Sequence, residues 1–70
     1  MSAIKWDGKH AEHRGCLMCV FGARDGWSYV VMQMGPGRHD SDGPYVTDET
    51  AKSAAEKVVL GWLEKGAGDE

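Results

Sequence analysis

Four residues at intervals of three, His10, His13, Cys16 and Cys19, carry the most suggestive chemistry in this sequence. Each is a residue type that binds zinc at tetrahedral sites. Structural zinc sites, however, bring two ligand pairs together from separate segments joined by a long loop, and here only Arg14 and Gly15 part the second His from the first Cys. Leu17 and Met18, between the cysteines, are not turn residues. In a strand, this odd spacing sends the two sulfurs to opposite faces. Packed strand cysteines are therefore the expected reading, and a small zinc-binding module using His10, His13, Cys16 and Cys19 is the alternative.

A second cluster, Arg38-His39-Asp40-Ser41-Asp42-Gly43, gathers an imidazole, two carboxylates and a hydroxyl. Asp-x-Asp-Gly is a fragment of a calcium loop, but the next ligand position and the distal Glu are missing at the required spacing. His39 with Asp40 and Asp42 could serve acid–base catalysis at a dimer interface, yet no nucleophile or oxyanion arrangement accompanies them. The expectation is a solvated loop that touches a partner. Gly35-Pro36-Gly37 lacks the Lys-Ser/Thr ending of a phosphate cradle. No catalytic residue, metal or cofactor is expected, and the chain is read as non-enzymatic.

The elements that must position these residues follow from periodicity. Cys16 to Ala23 and Trp27 to Met34 are two strong strands, and Arg24-Asp25-Gly26 joins them as a hairpin. Leu17, Cys19 and Phe21 share one face; Cys16, Met18 and Val20 share the other. In the second strand Val30, Met32 and Met34 oppose Trp27, Tyr29 and Val31. Both faces are thus largely apolar: one is expected to take a helix, the other the N-terminal segment or a partner. Ile4-Lys5-Trp6 reads as an edge strand before an Asp7-Gly8 turn, and Lys9 to Arg14 as loop or weak strand. Gly35 to Gly43 reads as a mobile loop, and Pro44-Tyr45-Val46 as a short edge strand.

Thr47 is a helix N-cap signal, with Asp48 and Glu49 suited to the positive end of the helix dipole. The helix is expected over 48–65, with Gly66 as its stop and 66–70 as a flexible tail. Ala51, Ala54, Ala55, Val58, Val59, Trp62 and Leu63 form its apolar stripe. Leu60 falls about 180° from Ala51, amid the polar face with Glu49, Glu56 and Glu64. The fold class is α+β: a small antiparallel sheet of three or four strands around the 16–34 hairpin, packed on one C-terminal helix. Residues 1–70 make a single domain, with 1–14 as edge strand and loop.

Seventy residues leave room for one core, with a stability on the order of 3–5 kcal/mol. The net charge of −3 is unevenly spread. Residues 1–39 hold five Lys/Arg against three acids, and residues 40–70 hold eight acids against three lysines. The acidic half argues against direct nucleic-acid contact and for a protein partner with a basic surface. The expected partner-binding residues are Leu60, Glu49, Glu56, Glu64, Asp40 and Asp42, an apolar anchor ringed by charge. An uncovered sheet face would favour a homodimer, with Trp27 and Tyr29 as its contacts. Met1 to Gly15 is polar with no apolar run, no stretch is long enough for a membrane span, and there are only two cysteines, so no secretory leader and a cytoplasmic location are expected.

The order of strand, loop and helix from Trp27 to Met34 and on through Tyr45-Val46-Thr47-Asp48-Glu49-Thr50-Ala51-Lys52-Ser53-Ala54-Ala55-Glu56 is similar to the tail of many small phage-encoded proteins. Over residues 16–65 the layout resembles small inhibitors of the anti-CRISPR type, which share no site pattern that could be carried over. The resemblance implies an inhibitor that blocks a basic nucleic-acid-binding surface of a CRISPR effector by protein–protein contact. The modest net charge departs from strongly acidic mimics of long DNA.

Overall fold

Three tight turns convert the first half of the chain into a meander. The computed structural model describes residues 4–35 and 37–68, with side-chain environments through Glu64. Strands β1 (Trp6–Asp7), β2 (His10–His13), β3 (Cys16–Ala23), β4 (Gly26–Gln33) and β5 (Arg38–Tyr45) pair antiparallel with their neighbours in that order. The helix α1 (Asp48–Gly68) follows.

The connections explain why the sheet has five strands rather than the three or four expected. Asp7 pairs with His10, so Gly8 and Lys9 form a two-residue turn, and Gly8 takes a φ of 65°. His13 pairs with Cys16 across Arg14-Gly15, both of which have positive φ (52° and 81°), as a type I′ hairpin requires. The segment 1–14, read as edge strand and loop, therefore supplies two strands. Its polar residues suit β2, whose outer edge is largely open.

Residues 38–43 are likewise strand and not mobile loop. Backbone bonding to β4 sets their conformation, and an edge strand with exposed side chains needs no apolar alternation. The register of β5 shifts between the Trp27↔Tyr45 and Tyr29↔Asp42 pairs, so Gly43 and Pro44 together stand against Ser28 as a bulge. The Gly43-Pro44 bond is cis. The bulge keeps both Asp42 and Tyr45 on the helix side of the sheet, although they lie three residues apart.

Thr47 caps α1 as expected: the Thr50 amide donates to its Oγ1 at 3.2 Å, and the Ala51 amide donates to its carbonyl. The helix passes Gly66 and ends at Gly68, beyond the expected stop at 65. A glycine weakens a helix by about 1 kcal/mol without forbidding it. The rest of the expected tail, residues 69 and 70, lies outside the described residues.

One face of the sheet takes the helix. Cys16, Met18, Val20, Tyr29 and Val31 pack against Ala51, Ala55 and Val59, and Ile4 and Ala11 complete the buried cluster. Alternation along β3 and β4 supplies the sheet half of this core, and the 3.6-residue repeat supplies the helix half. Small residues at 51 and 55, both fully buried, let α1 lie close to the strands.

Three tryptophans rim the core, and each is covered by a cation. Lys52 Nζ sits 5.3 Å from the Trp6 ring, Lys9 Nζ 5.4 Å from Trp27, and the Arg38 guanidinium 5.7 Å from Trp62. These basic side chains shield aromatic faces and are not gathered into a patch that would suit a phosphate backbone. Among the described residues, no helix is long and apolar enough to cross a membrane.

Candidate interaction surfaces

The His-x-x-His-x-x-Cys-x-x-Cys ladder folds back on itself at Arg14-Gly15. Its four donors become two cross-strand pairs, His10↔Cys19 and His13↔Cys16. The pairs occupy opposite faces of the sheet. Cys16 is fully buried on the helix side, while His10 and Cys19 lie on the other. The four cannot converge on one ion, and no set of three or more His, Cys, Asp or Glu among the described residues is placed to hold a metal. Burial pushes the Cys16 thiol above its ordinary pKa, an effect the Arg38 guanidinium partly offsets. That keeps Cys16 a packed thiol and not a nucleophile.

Asp40 and Asp42 pair with Val31 and Tyr29, so they project to the helix side of β5; His39 pairs with Met32 and projects to the other. Adjacent strand residues therefore separate the imidazole from both carboxylates. The carboxylates serve two stacked tyrosines. The Tyr29 and Tyr45 rings lie 6.0 Å apart at 24°, and the Tyr45 hydroxyl donates to Asp42 Oδ2 at 3.0 Å. The Tyr29 hydroxyl is pushed up to about 12, first by burial and then by the neighbouring Asp40 charge and the hydrogen bond to Asp40. Both phenols are thus held neutral as donors. Beside them an open groove of about 440 Å³ runs to Thr50, Ser53 and Lys57 of α1.

The outward side of α1 carries Leu60, 46% exposed, with Glu49 and Glu64 also exposed. Glu56 is placed differently. It is half-buried at the β1 flank of the helix, where its Oε2 accepts a 2.6 Å hydrogen bond from Trp6 Nε1. Lys52 covers the same indole. The flank that faces β5 is the opposite one, lined by Thr50, Ser53 and Lys57. The six residues expected to form one contact patch are therefore distributed over three places: Leu60, Glu49 and Glu64 on the outer helix, Glu56 against Trp6, and Asp40 with Asp42 beside the tyrosines. Glu56→Ala removes the charged acceptor of the Trp6 bond and should cost about 1 kcal/mol, read as a melting temperature lower by about 4–8 °C.

The remaining surface is the uncovered face of the sheet. Leu17, Phe21 and Met32 are 39%, 45% and 44% exposed there, and Val30 and Cys19 lie half-buried between them. A shallow apolar depression of about 250 Å³ opens among Leu17, Cys19, Val30 and Met32. Alternation in β3 and β4 identifies these residues as face-sharing neighbours. The contacts expected for such a face, Trp27 and Tyr29, are instead on the helix side, Trp27 half-buried and Tyr29 3% exposed. The size of aromatic rings makes them look like contact residues, but the parity of their positions puts them in the core. No protein-family model, curated protein or solved structure matches the chain.

Proposed function

We propose that this chain is a non-enzymatic binding protein that inhibits its partner by covering a basic surface with the outer side of α1. The observation that supports this is Leu60, a large apolar side chain about half exposed on the outward side of a helix and accompanied by exposed Glu49 and Glu64. An apolar anchor desolvates at the centre of a contact, while surrounding carboxylates select a partner of opposite charge. The dispersal of the other candidate groups supports the same reading. The imidazole of His39 points away from Asp40 and Asp42, Cys16 is sealed, and both carboxylates are engaged by tyrosines.

A nucleic-acid-binding surface of a CRISPR effector is the form of basic partner that the resemblance in layout implies. A net charge of −3 suits a local contact better than imitation of a long duplex. The test is binding of the immobilised chain to purified CRISPR effector complexes, measured at rising salt. Association is expected to weaken with ionic strength, and Leu60→Arg is expected to reduce affinity at least about tenfold with the melting curve unchanged. Full affinity in Leu60→Arg would remove the outer helix as the contact.

A further inference from the structure

The uncovered sheet face is arranged in cross-strand rows, and the rows are complementary to their own reversed order. One row reads Glu12, Leu17, Met32, His39 from β2 to β5; the next reads His10, Cys19, Val30, Ser41. The centre of the face is apolar and its two margins are polar, with Glu12 and His10 on the β2 side and His39 and Ser41 on the β5 side. The chain's own first strand does not cover it, because Ile4 and Trp6 pack on the helix side.

We propose that this face is the interface of a homodimer, in which two sheets stack about a two-fold axis parallel to the strands and running between β3 and β4. This goes beyond the reading of the outer helix and does not depend on it. Such an axis exchanges β3 with β4 and β2 with β5 at constant height. Each Leu17 then lies over Met32 of the other copy, each Cys19 over Val30, and each Glu12 over His39. In these two rows apolar meets apolar, carboxylate meets imidazole and His10 meets Ser41, while the following row sets Phe21 over Ser28, within the roughly 30° rotation that sheet twist imposes on stacked sheets. A two-fold axis in the same plane but across the strands would instead lay β2 on β2, with Glu12 near His10 of the other copy. The pairing of Glu12 with His39 is particular to the first arrangement, and the rim variants below test it.

The area suits a weak dimer. Strands β3, β4 and β5 have eight residues each and β2 has four, which makes them about 26 Å and about 13 Å long, at their usual spacing of about 5 Å. The footprint is about 450 Å² per copy and about 900 Å² in total, at the small end of specific interfaces, and the test therefore extends to millimolar concentration. Leu17, Phe21 and Met32, each 39–45% exposed in the single chain, would lose their contact with water. Both α1 helices would remain outermost, so one dimer would offer two copies of the Leu60 surface.

Light scattering and sedimentation of the full chain, from micromolar to millimolar concentration, test this. The wild type should reach twice the chain mass, and Leu60→Arg should behave identically. Met32→Glu should remain monomeric with its circular dichroism retained. Two rim variants keep the test independent of that core substitution. His39→Glu, which sets carboxylates against Glu12, should weaken self-association about tenfold, and Glu12→Lys should weaken it less. Mixing these two variants should restore association. In the mixed dimer the introduced lysine of one copy faces the introduced carboxylate of the other, while the unaltered Glu12 and His39 still meet at the opposite rim. A wild type that stays monomeric throughout, a dimer that survives Met32→Glu, or a mixture that associates no better than its components would each overturn the proposal.

Discussion

Gly43→Ala is expected to leave the chain largely unfolded at physiological temperature. Gly43 sits in the β5 bulge with a φ of 150°, a conformation that side-chain-bearing residues rarely adopt. A Cβ there would collide with Ser28 Oγ and lie 2.8 Å from Ser28 Cβ and 2.9 Å from its Cα. The obstacle is the backbone of a central strand, held on one side by β3 and on the other by β5, and it cannot yield as the tip of a flexible side chain would. Backbone strain and overpacking each cost about 1–3 kcal/mol. Their sum approaches the whole stability of a domain this small, on the order of 3–5 kcal/mol. Loss of the bulge would also shift Tyr45 out of register, breaking its stack on Tyr29 and its bond to Asp42. Gly35→Ala is the control, since its Cβ would meet nothing within 4 Å. Urea and thermal unfolding followed by circular dichroism decide the matter. A Gly43→Ala midpoint within a few degrees of Gly35→Ala would mean that β5 can slide past Ser28, and the bulge would not be the fixed point described.

The elements most legible in the sequence are those that bury apolar residues with a clear period. Cys16 to Ala23 alternates, Ala51 to Leu63 repeats at helical spacing, and Thr47 announces the helix start; all three stand in the structure as read. What was not legible is held by backbone bonding. The β2 segment, His-Ala-Glu-His, and most of β5, Arg-His-Asp-Ser-Asp-Gly, have almost no apolar period, because Ala11 is the one buried side chain among them. Their turns were nonetheless signalled. Arg14-Gly15 and Gly8-Lys9 each place a glycine where a two-residue hairpin needs positive φ, but Arg-Gly is a weaker cue than Asn-Gly. The candidate contact set was less legible. Leu60 follows from helical geometry alone, whereas the engagement of Glu56 by Trp6 joins residues fifty positions apart and has no local trace.

Neighbouring positions on β3 give the sharpest expected contrast. Met18 is 1% exposed, in the core beneath α1, and Leu17 is 39% exposed on the other side of the same strand. Both are large and flexible, and truncation to alanine removes a similar volume from each. Met18→Ala leaves a cavity among Val31, Val59 and their neighbours, in a core too small to collapse around it. It should cost about 2–5 kcal/mol, enough to unfold much of the population at 37 °C. Leu17→Ala empties a place that is already partly wet. In dilute solution, where the chain is single, it should cost less than about 1 kcal/mol and leave the unfolding midpoint nearly unchanged. At high concentration the order reverses in a second assay: Leu17→Ala loses the contact with Met32 of the other copy and should weaken self-association about tenfold, although its fold is intact. Urea titrations at low concentration and sedimentation at high concentration separate the two effects. Equal destabilisation of both variants in the dilute titration would mean that the second face is sealed within the chain itself. The alternation of β3 would then be building two cores, and no surface would remain there for a second copy to occupy.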